Sequence, residues 1–157
     1  MHFVTFSCYK RRRILDTAKA CEIVVSFLSS QLRRRGGRCL GFVIMPDHVH
    51  AAIWFAEPGK LSTFMQQWKR RASLEIKKHL RKERPNYLSG PYAGQPVWQP
   101  RYYDFNIYSE AKLKEKLAYM HANPVRAGLV ASPDEYFYSS ARHYLLNEPV
   151  GVEIDRV

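Results

Sequence analysis

Phe42-Val43-Ile44-Met45-Pro46-Asp47-His48-Val49-His50-Ala51-Ala52-Ile53-Trp54-Phe55 reads as two strands folded back on each other. Leu40 to Met45 is an apolar run, Pro46-Asp47 is a turn dipeptide, and His48 to Phe55 resumes an extended pattern. In the second strand His48 and His50 stand two residues apart, so both side chains project from one face. That makes a ready pair of metal ligands. In an apolar core each imidazole would need a hydrogen-bond partner to offset its burial. The competing arrangement is an edge strand that turns both rings into solvent, and the triplet alone leaves both open.

Working outward, Phe3, Val4, Thr5 and Phe6 sit in a first strand, His2 to Cys8. A basic turn follows, Lys10-Arg11-Arg12-Arg13. Asp16 is the expected N-cap of a helix running to about Arg35, with Cys21, Val24, Val25, Leu28 and Leu32 at helical spacing. Gly36-Gly37 ends it. After Pro58-Gly59 a long helix spans Lys60 to Lys82, burying Leu61, Phe64, Met65, Trp68, Ala72, Ile76 and Leu80 and presenting Arg70, Lys77 and Arg81 on its polar side. A long loop rich in Pro, Gly and Tyr leads to a fourth strand, Tyr102 to Tyr108. Ser109 caps a last helix from Glu110 to about Ala122, which Asn123-Pro124 is expected to stop. The tail beyond Gly128 is expected to pack back on the domain.

The order strand, helix, strand, strand, helix, strand is a split βαβ pattern. It predicts one α+β domain over residues 1–157, a ferredoxin-like (RRM-like) sandwich. Its antiparallel sheet has four to five strands with helices packed on one face, and the other face is left open for a ligand or a second subunit.

Composition narrows the partners. Apolar residues at 46% and aromatics at 13% favour a compact fold over disorder. The 25 Lys and Arg against 14 Asp and Glu give a formal charge of +11, a field that attracts nucleic acid. Three cysteines without a CxxC pair argue for reduced thiols. No apolar run approaches the ~20 residues that span a bilayer, so a cytoplasmic protein is expected.

Tyr119 and Asn123 lie four residues apart on one face of the last helix. Were that helix laid across the sheet, a phenol and a carboxamide would meet the histidines, setting a nucleophile beside a metal. Spacing alone favours the plainer reading, in which Tyr119 packs and Asn123 ends the helix.

Three stretches together narrow the choice: Met45-Pro46-Asp47-His48-Val49-His50, then Trp98-Gln99 with Tyr102-Tyr103-Asp104, then Tyr119-Met120-His121-Ala122-Asn123-Pro124-Val125-Arg126-Ala127-Gly128-Leu129-Val130. In this order they resemble the one-tyrosine HUH transposases (insertion-sequence-200-like), and most the REP-associated tyrosine transposases. The resemblance implies an HUH endonuclease fold. It implies that His48 and His50 bind one divalent metal, Mg²⁺ or Mn²⁺, with Asn123 as third ligand. Tyr119 would attack a phosphodiester of single-stranded DNA and leave a 5′-phosphotyrosine and a free 3′-hydroxyl. Insertion-sequence relatives more often carry glutamine at the position of Asn123, so asparagine points to the REP-associated branch. The DNA implied is a hairpin from a palindromic repeat, bound by a monomer or homodimer.

Lys10, Arg11, Arg12, Arg13, Arg70, Lys77 and Arg81 are candidates to neutralise phosphates. Trp98, Tyr102 and Tyr103 are candidates to stack unpaired bases. Two other functions share these features. A non-catalytic ferredoxin-like binder of single-stranded nucleic acid would use the same basic and aromatic surface. A metal nuclease would activate water at the histidines and form no protein–DNA adduct.

Overall fold

The computed structural model describes residues 1–156. The strands are β1 (His2–Ser7), β2 (Gly37–Ile44), β3 (His48–Phe55) and β4 (Tyr103–Asn106). The helices are α1 (Ala18–Arg34), α2 (Lys60–Glu83), α3 (Glu110–His121) and the short α4 (Asn123–Arg126) and α5 (Ala141–Leu146). The strands form one four-stranded sheet in the order β2-β3-β1-β4. Every neighbouring pair is antiparallel, the ferredoxin-like arrangement that the element order predicts.

Alternation along the strands sorts side chains into two layers. Val4, Phe6, Phe42, Ile44, Val49, Ala51 and Ile53 face α1 and α2 and build the larger core. The seven apolar positions expected along α2 are its buried residues, with Trp68 at the centre. Trp68 donates its indole N–H to the Val24 carbonyl at 2.9 Å, satisfying the one polar group it buries.

The other face is only partly open. α1 and α2 form the one-sided layer that the sequence predicts, but α3 lies across the opposite face. There Leu113 and Met120 join Phe3, Leu40, Val43, Met45 and Ala52 in a second, smaller core. Gly41 permits this: a Cβ there would lie 2.7 Å from Met120 Cε and closer still to Leu117. A side chain at 41 would therefore have to displace the ends of the Leu117 and Met120 side chains that fill this space beneath α3.

Several boundaries differ from expectation. Thr17 caps α1, its hydroxyl accepting from the Ala20 N–H, while Asp16 pairs with Arg84 at 2.8 Å. β2 begins at Gly37, because Gly36 alone makes the left-handed turn at φ 62°. β4 is shorter than expected, as it pairs only with His2 to Thr5 of β1. α3 ends at His121, as Asn123-Pro124 predicts, and Asn123 opens the separate short α4, where Pro124 in the first turn needs no N–H partner.

The tail covers the outer edge of β2, which would otherwise present unpaired backbone groups. Ile44 N–H donates to Tyr138, Ser140 N–H to Phe42 and Asp155 N–H to Cys39. The Tyr136 and Tyr144 hydroxyls donate to the carbonyls of Ile44 and Leu40 at 2.8 and 2.6 Å. No helix among the described residues is long and apolar enough to cross a membrane.

Candidate active site

The tight hairpin Met45 to His48 places the two histidines. Met45 N–H donates to the His48 carbonyl, and the turn carbonyls of Pro46 and Asp47 accept from Leu15 and Cys8 at 2.9 and 2.8 Å. This pins the start of β3 from two sides. Register then aligns Thr5 with His50 and Ser7 with His48. Val43, His50, Thr5 and Tyr103 thus form one row across all four strands, on the face that α3 partly covers.

Each imidazole has a partner on its Nδ1. His48 Nδ1 lies 2.6 Å from Asp47 Oδ1, and His50 Nδ1 lies 2.6 Å from Thr5 Oγ1. With Nδ1 donating, Nε2 of each ring is the nitrogen left with a lone pair for a cation. The rings stand edge to face with centroids 4.8 Å apart. Burial first, then the charges of His48, Arg11, Arg126 and Lys116, push the His50 pKa down to about 3. His50 is therefore a neutral ligand at physiological pH. Asp47 is itself held by Arg11, whose Nε lies 3.0 Å from Oδ2, while Arg11 Nη1 donates to Ser7 Oγ at 2.8 Å. Lys10 and Arg11 take the left-handed conformation at φ 53° and 56°. That conformation is costly for non-glycine residues, and it aims Arg11 at the site.

α3 brings Tyr119 to this pair within the same chain. Met120 is fully buried beneath the helix, and its neighbour Tyr119 is 46% exposed at the rim of the histidine face. The Tyr119 ring is 5.8 Å from that of His50 and 6.3 Å from that of Phe3, and Phe3 stacks on His50 at 5.4 Å. Asn123 follows one turn later, and its amide nitrogen is buried without a hydrogen-bond partner. Such an amide suits a ligand role, because its two ends exchange by a flip that presents the oxygen. Among the described residues no cluster of three His, Cys, Asp or Glu side chains forms a metal cage. Were a cation bound here, His48 and His50 could supply two imidazole nitrogens and Asn123 an amide oxygen, a mixed donor set that tolerates Mg²⁺ or Mn²⁺ and would also accept Zn²⁺.

The DNA-binding candidates are dispersed. Arg11 belongs to the site, and Tyr103 is 56% exposed in the same row as His50. Arg12 is committed to the loop after α2, stacked 3.7 Å from the Tyr92 ring and donating to the Tyr87 carbonyl. Trp98 is not available to a base. It is buried, its ring 4.9 Å from Phe6 and its N–H on the Lys69 carbonyl. Tyr102 is half-buried, with burial raising its pKa. Lys10 and Arg13 are exposed on the turn after β1. Arg70, Lys77 and Arg81 ride on α2, across the sheet from the histidines. Thr5, Phe3 and Arg126 were not singled out in the sequence. Thr5 had a legible signal, since a hydroxyl opposite a histidine in the neighbouring strand can orient its ring.

These features set two paired histidines, each with its Nδ1 engaged, beside a tyrosine ring on a ferredoxin-like sheet. The family model described as "Transposase IS200 like" matches residues 1–123, and the chain belongs to that family. Among solved structures it is similar to a REP-associated tyrosine transposase bound to a REP hairpin. That match has a TM-score of 0.72 and 18% identity, covering 99% of this chain and 86% of the other. A Deinococcus radiodurans protein provisionally assigned as a transposase aligns with TM-score 0.54 and 17% identity, covering 75% of this chain and 85% of the other. At such identities the likeness is one of fold. No curated protein sequence matches this one significantly.

Proposed function

We propose that this transposase-family protein is a metal-dependent endonuclease and strand transferase for single-stranded DNA, with Tyr119 as its nucleophile. The observation that carries the reading is the Tyr119 ring beside His50 in a single chain, where both imidazoles have Nδ1 engaged. His48, His50 and Asn123 would hold one divalent cation, Mg²⁺ or Mn²⁺, which would neutralise charge on the scissile phosphate and stabilise the departing 3′-oxygen.

The chain's own residues do the rest. Thr5 and Asp47 fix the ring orientations and keep the Nδ1 protons in place. Met120, Leu113 and Gly41 seat α3, so that the Tyr119 hydroxyl meets the phosphate without a search. The Tyr119 Oη–P bond forms as the P–O3′ bond breaks, the phenolic proton leaves to solvent, and the 3′-oxygen takes one up. The phosphotyrosine conserves the bond energy, and a 3′-hydroxyl can later reverse the step without ATP. Tyr103, exposed beside the site, stacks an unpaired base, while Lys10, Arg11 and Arg13 meet backbone phosphates. The hairpin bound by the REP-associated relative supports a palindromic-repeat hairpin as substrate.

The test is a denaturing gel with hairpins from repeats flanking the protein's own gene, labelled on either side of the cut, with Mn²⁺ or Mg²⁺. Wild-type protein should retain the downstream label in detergent, and Tyr119→Phe or a chelator should abolish the adduct. Cleavage without an adduct that persists in Tyr119→Phe would instead establish a water-activating nuclease. Tight binding without cleavage of any repeat hairpin would establish a binding protein.

A further inference from the structure

Tyr119 is 46% exposed, which for a tyrosine expected to attack in line raises the question of what holds its ring. Phe3 and His50 meet it only edge-on, on the sheet side. Its π-face is covered by Arg126, whose guanidinium carbon lies 4.6 Å from the ring centroid. Arg126 Nη2 also donates to the Tyr119 carbonyl at 2.5 Å. One side chain therefore grips the nucleophile by both its backbone and its ring.

The local sequence explains this. Tyr119 is in the last turn of α3, where carbonyls lack intrahelical partners and basic side chains cap them favourably. Pro124 opens α4, which carries Arg126 within reach of the end of α3. The guanidinium is planar, stacks on aromatic faces and has five N–H donors. Its hydrogen bond to Tyr119 uses Nη2, the group remains exposed, and the other nitrogens can meet a phosphate oxygen at the nucleophile.

We infer that Arg126 is a further functional residue of this site: it positions the Tyr119 ring for attack and places a cation on the phosphate that Tyr119 attacks. The inference rests on the reading of Tyr119 as nucleophile. Lysine at 126 would keep the cation but lose the planar stack and the forked hydrogen bonds. Methionine would keep only bulk.

The experiment measures single-turnover adduct formation on a repeat hairpin alongside affinity for an uncleavable hairpin. It compares full-length wild type, Tyr119→Phe, Arg126→Met, Arg126→Lys, and Arg126→Ala with and without added guanidinium. Arg126→Met should slow adduct formation by about 100-fold, the scale of losing one preorganised donor. Hairpin affinity should change by less than about threefold, the signature of an interaction made in the transition state. Arg126→Lys should fall between, and guanidinium should restore part of the Arg126→Ala rate. A wild-type rate in Arg126→Met would overturn the inference and leave Tyr119 as nucleophile untouched. So would a rate lost only in proportion to affinity, or a folded Arg126→Ala that guanidinium does not rescue. If Arg126→Met fails to fold, the lysine variant and the rescue decide. Absence of any adduct in wild type, or one that survives Tyr119→Phe, would remove the reading of Tyr119 and this inference with it.

Discussion

His48 and Asp47 are bonded side chain to side chain at 2.6 Å, although they are adjacent in sequence at a hairpin turn. Asp47 thus does two things at once, closing the turn and orienting the imidazole that follows it. Its second oxygen receives Arg11 at 3.0 Å, so the ring of His48 is tied through one carboxylate to the strained turn after β1. His50 has only the neutral hydroxyl of Thr5. The two imidazoles are therefore held unequally, the first by a charge-assisted bond and the second by register.

That inequality predicts graded losses of metal affinity. Asp47→Ala should weaken Mn²⁺ binding by about 10–100-fold, as removal of a ligand's orienting partner does, and Thr5→Val should weaken it less. Isothermal titration of the DNA-free protein measures both. Equal affinities for wild type and Asp47→Ala would show that the carboxylate only makes the turn.

Gly41→Ala should destabilise the fold by about 1–3 kcal/mol, the usual cost of overpacking. The added methyl falls against the side-chain ends of Leu117 and Met120 beneath α3, so the packing that seats Tyr119 has to readjust. Adduct formation should drop well beyond any loss of hairpin affinity, and chemical denaturation with single-turnover kinetics tests the pair of effects.

Two aromatics expected to stack bases should separate. Trp98→Ala should cost about 3–5 kcal/mol of stability, as a large core truncation does. Tyr103→Ala should leave the melting temperature nearly unchanged and weaken single-strand binding by about 1–3 kcal/mol. Thermal melts and fluorescence anisotropy on an unpaired oligonucleotide read the two sides.

Acid should unfold the metal-free protein in a defined window. Burial lowers His50 to about 3 and His121 to about 4 from an ordinary value near 6.5. Below pH 6.5 the unfolded chain binds these protons and the native state does not, so stability is full above 6.5 and falls as pH drops toward 4 and 3. His121 contacts Ser140 Oγ at 2.7 Å, which ties α3 to the tail. His121→Gln should flatten the upper part of the decline in denaturation midpoints measured from pH 7 to 4.

Much of this protein was legible along the chain. The hairpin through His48 and His50 and the buried stripe of α2 follow from periodicities that depend only on neighbouring residues. The ferredoxin-like order follows from how such elements can pair. Misplaced caps, such as Asp16 for Thr17, arose because adjacent polar residues can both cap, and Arg84, far along the chain, claimed the aspartate. Trp98 looked like a stacking platform because composition cannot distinguish a loop aromatic from one that a strand bridge draws into the core.

The sequence by itself determined the site's parts and the sheet that carries two of them, since side-chain chemistry and strand alternation are local properties. Tertiary structure alone decided that α3 crosses the histidine face instead of leaving it open, that Thr5 reaches His50 and Arg126 covers Tyr119, and that the Tyr119 ring meets His50 within one chain. Those outcomes depend on register, on the missing side chain at Gly41, and on which distant surfaces bury each other best, and no window of neighbouring residues contains them.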